Sequence, residues 1–422
     1  MKEFEFKIQS WIEGSSPIEL AVTNNFLSIL VRGEIISDVL HQANKSTANG
    51  VYLPLYPVAE WIAANWWRLL YECNRQRGNE DFRYCHNLSF AGEGYFLPNL
   101  SFFPETDVVY LEWEKRSINN GDLQFLGQGQ AKIPFDDIQK EFASFIQIVI
   151  GRLETLGIQD TLLQKDWEAI QKANNDQEEK DFCIACAQLG IDPYAVTEEQ
   201  AQRIIDSHEI LSKNVDVNEF FNTVSMKNIT ESTEWLAKLS NDKSIKKKAN
   251  AFFREIKEKI PGFKDYQPWK RGYKEAQWVR ANFFNASFKL NDFYSLIEET
   301  THNEEIPFDF CMAVTKTSDD LNPTFIHPDK LSHFQAGRVL GDYIHSSGNT
   351  CKLMTKLYTP EQKYSRAFAA ELIAPAESLR NDLKGKCYVC DDDIAELSQK
   401  YQINDSVIRH QIENHNLAEI AL

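Results

Sequence analysis

Ser332-His333-Phe334-Gln335-Ala336-Gly337-Arg338-Val339-Leu340-Gly341-Asp342-Tyr343-Ile344-His345-Ser346 is the stretch on which the reading of this chain turns. Phe334, Leu340, Tyr343 and Ile344 recur at helical spacing and predict a helix with one apolar stripe. Arg338 and Asp342 stand at i and i+4, where side chains meet on a helix, so an Arg338–Asp342 ion pair is expected. A second helix follows over Gln362–Leu372, bracketed by Pro360 and Pro375, the residues expected at helix borders.

Outward from these two helices, Phe308–Thr315 and Thr324–Ile326 read as strands. Ser378–Leu383, Asp391–Tyr401 and Ser406–His415 read as further helices. Residues 301–422 are therefore expected to form a mostly helical domain with a small sheet. Residues 134–300 read as a helical middle domain, with helices over Phe135–Leu156 and over Glu178–Leu189, the latter stopped by Gly190. Residues 1–133 read as an α+β domain. In it, Ile18–Val22 and Phe26–Val31 are apolar runs around a Thr23-Asn24-Asn25 turn. One helix is expected over Pro57–Glu72, and Val108–Trp113 reads as a buried strand. The fold class is a multidomain α+β protein, too long at 422 residues for one ordinary core.

Net charge is −17, which disfavours bulk attraction to nucleic acid or anionic membranes. No apolar run reaches the roughly 18–20 residues of a membrane span, and the N-terminus does not read as a signal peptide, so a cytoplasmic location is expected. Eight cysteines in a chain this long do not form a disulfide framework. Cys387-x2-Cys390 with His410 and His415 has the order of a zinc finger, but too long a gap between the pairs. Gln402–Asp405 joins the last two helices in a helix-turn-helix-like way, but with Asp405 where DNA recognition wants a basic residue.

Two other places attract candidate binding residues. Arg83, His86 and Glu93 surround a glycine-rich turn, as a small-molecule site or a loop clamp would. Lys243–Lys274 holds 11 basic and 3 acidic residues with interleaved aromatics. Lys246, Lys247, Lys248 and Arg271 there would track a nucleic-acid backbone; a solvated helix face accounts for the same pattern.

Residues 330–417 resemble the ImmA/IrrE-type (DUF955-like) metallopeptidase domain. The resemblance rests on Phe334-Gln335-Ala336-Gly337-Arg338-Val339-Leu340-Gly341-Asp342, on Arg366-Ala367-Phe368-Ala369-Ala370-Glu371-Leu372-Ile373-Ala374-Pro375, and on the order of the closing helices. That family carries Phe-x-x-Ala-His-Glu-Leu-Gly-His on its first helix and an acidic ligand at the start of the second. Here Arg338 stands for the first metal histidine, Val339 for the general-base glutamate, Asp342 for the second histidine and Tyr364 for the acid. The resemblance thus implies a pseudo-metallopeptidase with a degenerate HExxH motif, no cofactor, and a regulatory role with a protein partner in bacterial stress or defence. The alternatives are a metallopeptidase with a zinc site rebuilt from Asp342, His345 and Glu371, and a nucleic-acid-binding subunit using residues 243–274.

Overall fold

A computed structural model describes residues 2–12, 18–73, 80–92, 94–117, 123–241, 251–263, 267–284, 290–298, 301–302, 305–308, 311–318, 321–326, 332–346 and 350–421. The chain is a mixed α+β protein of two compact units, Met1–Ile205 and Asp206–Leu422. The stretch expected as one helical middle, 134–300, is shared between them.

In the first unit, β1 (Phe4–Ile8) pairs antiparallel with β2 (Asn24–Val31), Phe4 opposite Val31, and β3 (Val51–Pro54) pairs with β2 as well. Ile18–Val22, expected as a strand, is a short helix. The Thr23 hydroxyl donates to the Glu19 carbonyl at 2.6 Å and the Asn24 amide to that of Leu20 at 3.1 Å, so side chains satisfy the carbonyls that end the helix. The helix expected over 57–72 is two, α1 (Tyr56–Ala64) and α2 (Trp66–Tyr71). The break falls at Asn65, whose side chain donates back to the Trp61 carbonyl at 2.8 Å. Trp61, Trp66 and Trp67 are core residues.

The short helix α3 (Glu80–His86) precedes a sheet in the order β6-β5-β4, built from β4 (Asn99–Pro104), β5 (Val108–Glu114) and β6 (Gly129–Pro134). Strand β5 alternates instead of being buried throughout. Val109, Leu111 and Trp113 face the core, and Glu112 and Glu114 are exposed. Helix α4 (Phe135–Thr155) closes this core with Phe142 and Phe145. Their rings meet Phe102 at 5.3 Å and Phe6 at 4.7 Å.

The second unit contains α5 (Val217–Thr223) and α6 (Pro268–Phe283), then β7 (Cys311–Ser318), β8 (Leu321–Ile326), α7 (His333–Ile344), β9 (Thr350–Thr355) and α8 (Pro360–Ile373). It closes with α9 (Ala376–Leu383), α10 (Asp391–Tyr401) and α11 (Asp405–Asn414). Strand β7 lies antiparallel between β8 and β9, and Thr301–His302 pairs parallel with β8 at the edge. Helix α7 starts on a capping box: the Ser332 hydroxyl accepts from the Gln335 N–H while the Gln335 side chain returns to Ser332 N.

Helix α8 packs on α7 along one side and on α6 along the other, and glycines set both distances. A Cβ on Gly272 would stand 2.6 Å from the Tyr364 carbonyl oxygen, and one on Gly337 3.0 Å from the Ala369 backbone. Val339, Leu340, Tyr343, Phe368 and Leu372 fill the core between them. Among the described residues no helix is long and apolar enough to cross a membrane.

Candidate functional site

Polar side chains inside the second unit collect at the end of the sheet where α5, α7, β9 and α8 meet. Arg338, on α7, is 2% exposed, and its guanidinium bonds acceptors other than Asp342. Its Nε donates to Ser365 Oγ at 3.2 Å, and one Nη donates to the Thr355 carbonyl at 3.3 Å and to Gln362 Oε1. The expected Arg338–Asp342 ion pair is therefore corrected. The long Arg338 side chain reaches neutral acceptors on β9 and α8, and the two charges act on each other only at longer range.

Gln362 ties these elements together. Its Oε1 also accepts from Thr355 N at 3.1 Å, and its Nε2 donates to the Leu353 carbonyl at 2.7 Å. Thr355 Oγ1 in turn donates to Glu219 Oε2 at 3.3 Å, and Thr359 Oγ1 donates to Glu219 Oε1. Glu219 sits in the first turn of α5, and nothing in the sequence pattern singled it out. Burial pushes its carboxyl up to about 8, helped by Asp216 and Glu361 and opposed by the two threonine hydroxyls. Burial, then the facing Arg366 guanidinium, lowers Arg338 to about 9, so it stays charged at neutral pH. Burial raises Asp342 as well, against the pull of Lys352, Arg338 and His345. Three perturbed titratable groups in one region mark it as the candidate site.

Val339 is fully buried in the core. Tyr364 donates to Glu275 Oε2 at 2.6 Å, and the same oxygen is 2.7 Å from His345 Nε2. Arg271 pairs with the other oxygen of Glu275 at 3.2 Å and lies over the Tyr364 ring at 4.9 Å. Glu275 on α6 is thus a buried carboxylate with partners from α6, α8 and the end of α7, another residue no motif announced. Arg271, expected to face nucleic acid, is committed to this cluster.

Glu371 has a separate set of partners. Gln277 donates to it at 3.0 Å, Gln411 at 3.1 Å and the Ala376 N–H at 3.2 Å, with His415 at 3.6 Å. It clamps α6, α9 and α11 to α8. The rebuilt metal set of Asp342, His345 and Glu371 is not brought together, because His345 is held by Glu275 and Glu371 by the glutamines. Among the described residues no group of three or more His, Cys, Asp or Glu is placed to hold a metal. Cys387 and Cys390 are exposed around a short strand, and His415 packs on Tyr273 at 4.6 Å.

In the first unit, Arg83 and His86 line a cavity of about 260 Å³ between α3 and the outward face of β4 and β5. His86 offers it a ring and no nitrogen. Nδ1 is 2.8 Å from the Phe82 carbonyl and Nε2 is 3.0 Å from the Arg68 carbonyl. Burial lowers its pKa. His86 is thus corrected from a ligand-binding candidate to a wall of the cavity. Glu93, Lys246, Lys247 and Lys248 lie outside the described residues.

No protein-family model, no curated protein and no solved structure matches the chain.

Proposed function

We propose that residues 301–422, within the second unit, form a catalytically degenerate ImmA/IrrE-type domain. In this reading the protein works as a sensor, scaffold or regulatory subunit that binds a protein partner in a bacterial stress-response, mobile-element or defence setting. The observation that carries the proposal is the environment of Arg338. A guanidinium stays protonated and cannot ligate a metal. Here it is buried and fixed by Ser365, Gln362 and the Thr355 carbonyl, at the position where the resemblance places a metal histidine.

The neighbouring positions do not fit zinc either. Val339 cannot take a proton from a metal-bound water, and Tyr364 is held by Glu275 with its hydroxyl pKa pushed well above the usual range by burial. The one carboxylate left, Asp342, is a single ligand. Hydrogen bonds from the charged Arg338 guanidinium to neutral acceptors on both β9 and α8 favour a fixed recognition scaffold over a reaction centre.

Elemental analysis of the purified full chain, with a peptide-cleavage assay, tests this. Substoichiometric zinc and no chelator-sensitive cleavage are expected. Stoichiometric zinc that is lost in Asp342→Ala, together with cleavage, would overturn the proposal in favour of a rearranged peptidase. Salt-dependent oligonucleotide binding that falls on neutralising Lys246–Lys248 would overturn it in favour of a nucleic-acid-binding subunit.

A further inference from the structure

The cavity of the first unit plays no part in that role. From its lining we infer that it binds a small zwitterion of the amino-acid class, with the ammonium group on Glu112 and Glu114 and the carboxylate on Arg83.

Strand alternation puts Glu112 and Glu114 on the same outward face of β5. Antiparallel register sets Ser101 directly across from Glu112, Asn99 across from Glu114 and Phe103 across from Tyr110. One face therefore runs from an acidic, hydrogen-bonding end to an aromatic end. The acidic end is organised in advance. Asn87 Nδ2 donates to Asn99 Oδ1 at 2.6 Å and to Ser101 Oγ at 2.8 Å, and Asn99 Nδ2 donates to Glu114 Oε2 at 3.1 Å. Asn87 is itself fixed, because its Oδ1 accepts from Ser89 N at 2.9 Å.

Glu112 accepts from no donor among the described residues, so its carboxylate is available to a bound cation. Helix α3 supplies the opposite wall. There the Arg83 guanidinium lies over the Phe90 ring at 5.6 Å and, among the described residues, pairs with no carboxylate. Two glutamates and one arginine in the lining of one cavity select a ligand that carries both signs, with the cation more heavily provided for. The Phe82 and Phe103 rings, 6.2 Å apart and nearly parallel, give the remaining wall an apolar character suited to an aliphatic side chain. At about 260 Å³ the cavity lies below the usual range for ligand pockets, roughly 300–1,000 Å³, which fits a single amino acid and excludes a nucleotide.

The test uses the full chain. Free L-amino acids are screened singly for a rise in Tm at about 10 mM, above the roughly millimolar Kd that a few polar contacts support. L-leucine is then compared by calorimetric titration with 3-methylbutylamine, which lacks the carboxylate, and 4-methylpentanoate, which lacks the amine. The zwitterion is expected to bind more tightly than either half. Glu112→Gln should weaken L-leucine and the amine by about tenfold or more and leave the acid unchanged. Arg83→Gln should weaken L-leucine and the acid and leave the amine unchanged. Both residues are exposed, so both variants are expected to fold, which their unliganded Tm verifies. The inference is overturned if no amino acid raises Tm, or if neither variant alters binding. These readouts are independent of the metal and cleavage assays, so either proposal can fail alone.

Discussion

Replacing Glu219 by Gln should remove a pH dependence from the stability of the second unit. The carboxyl is 4% exposed and hydrogen-bonded by Thr355 and Thr359, and burial raises its pKa from 4.5 to about 8. The folded state therefore keeps a proton that the unfolded chain has already released. For an acid raised in this way, the contribution is fully present below pH 4.5 and is lost as pH rises towards 8. Each pH unit in that window costs about 1.4 kcal/mol, so the whole window amounts to roughly 4–5 kcal/mol.

The Glu219→Gln side chain would keep the shape and carry no titratable proton. Calorimetry on the full chain, with the transition of the second unit marked by the core truncation Leu340→Ala, gives Tm for both proteins across the window. The variant should be equal to or below the parent near pH 5 and rise above it near pH 8. A constant difference in Tm between those limits would refute the assignment of a buried, protonated Glu219.

Arg338→Ala should destabilise the second unit by about 3 kcal/mol, since it opens a cavity and takes a donor from Ser365 Oγ, the Thr355 carbonyl and Gln362 Oε1, the last of which keeps only Thr355 N; Arg338→Met should cost less because it refills the space. Thermal unfolding distinguishes the two. Gly272→Ala should cost more than Gly341→Ala, because its Cβ would meet the Tyr364 carbonyl at 2.6 Å, whereas the other meets the Phe368 ring at 3.1 Å and the ring can move. In the native protein a maleimide should label Cys387 and Cys390 quickly and leave Cys73, Cys85, Cys183, Cys186 and Cys351 slow. Only the first two thiols are exposed, and burial raises Cys183 and Cys85 to about 12. Mass spectrometry before and after denaturation reads the count.

The elements around the candidate site were legible in the sequence because they depend on local rules. Asp391–Tyr401 matches the expected helix, and α8 runs from Pro360 to Ile373 between the two prolines. The periodicity of Phe334, Leu340, Tyr343 and Ile344 likewise marked α7. The misses are also local in cause. At Ile18–Val22 and Asn65, a threonine or asparagine side chain competes for main-chain groups, which hydrophobic patterning does not register.

Local pattern alone shows that the chain is α+β, where most of its helices run, and that positions 338, 339 and 342 hold Arg, Val and Asp. What those residues do depends on the packing of distant elements. Helical spacing allows Arg338 to meet Asp342, but β9 and α8 bring three neutral acceptors within reach of the same guanidinium, and these win. Glu219 and Glu275 became part of the site in the same way. They lie about 120 and 70 positions before Arg338 and His345, and burial and partners at such separations are set by packing, which no local pattern encodes.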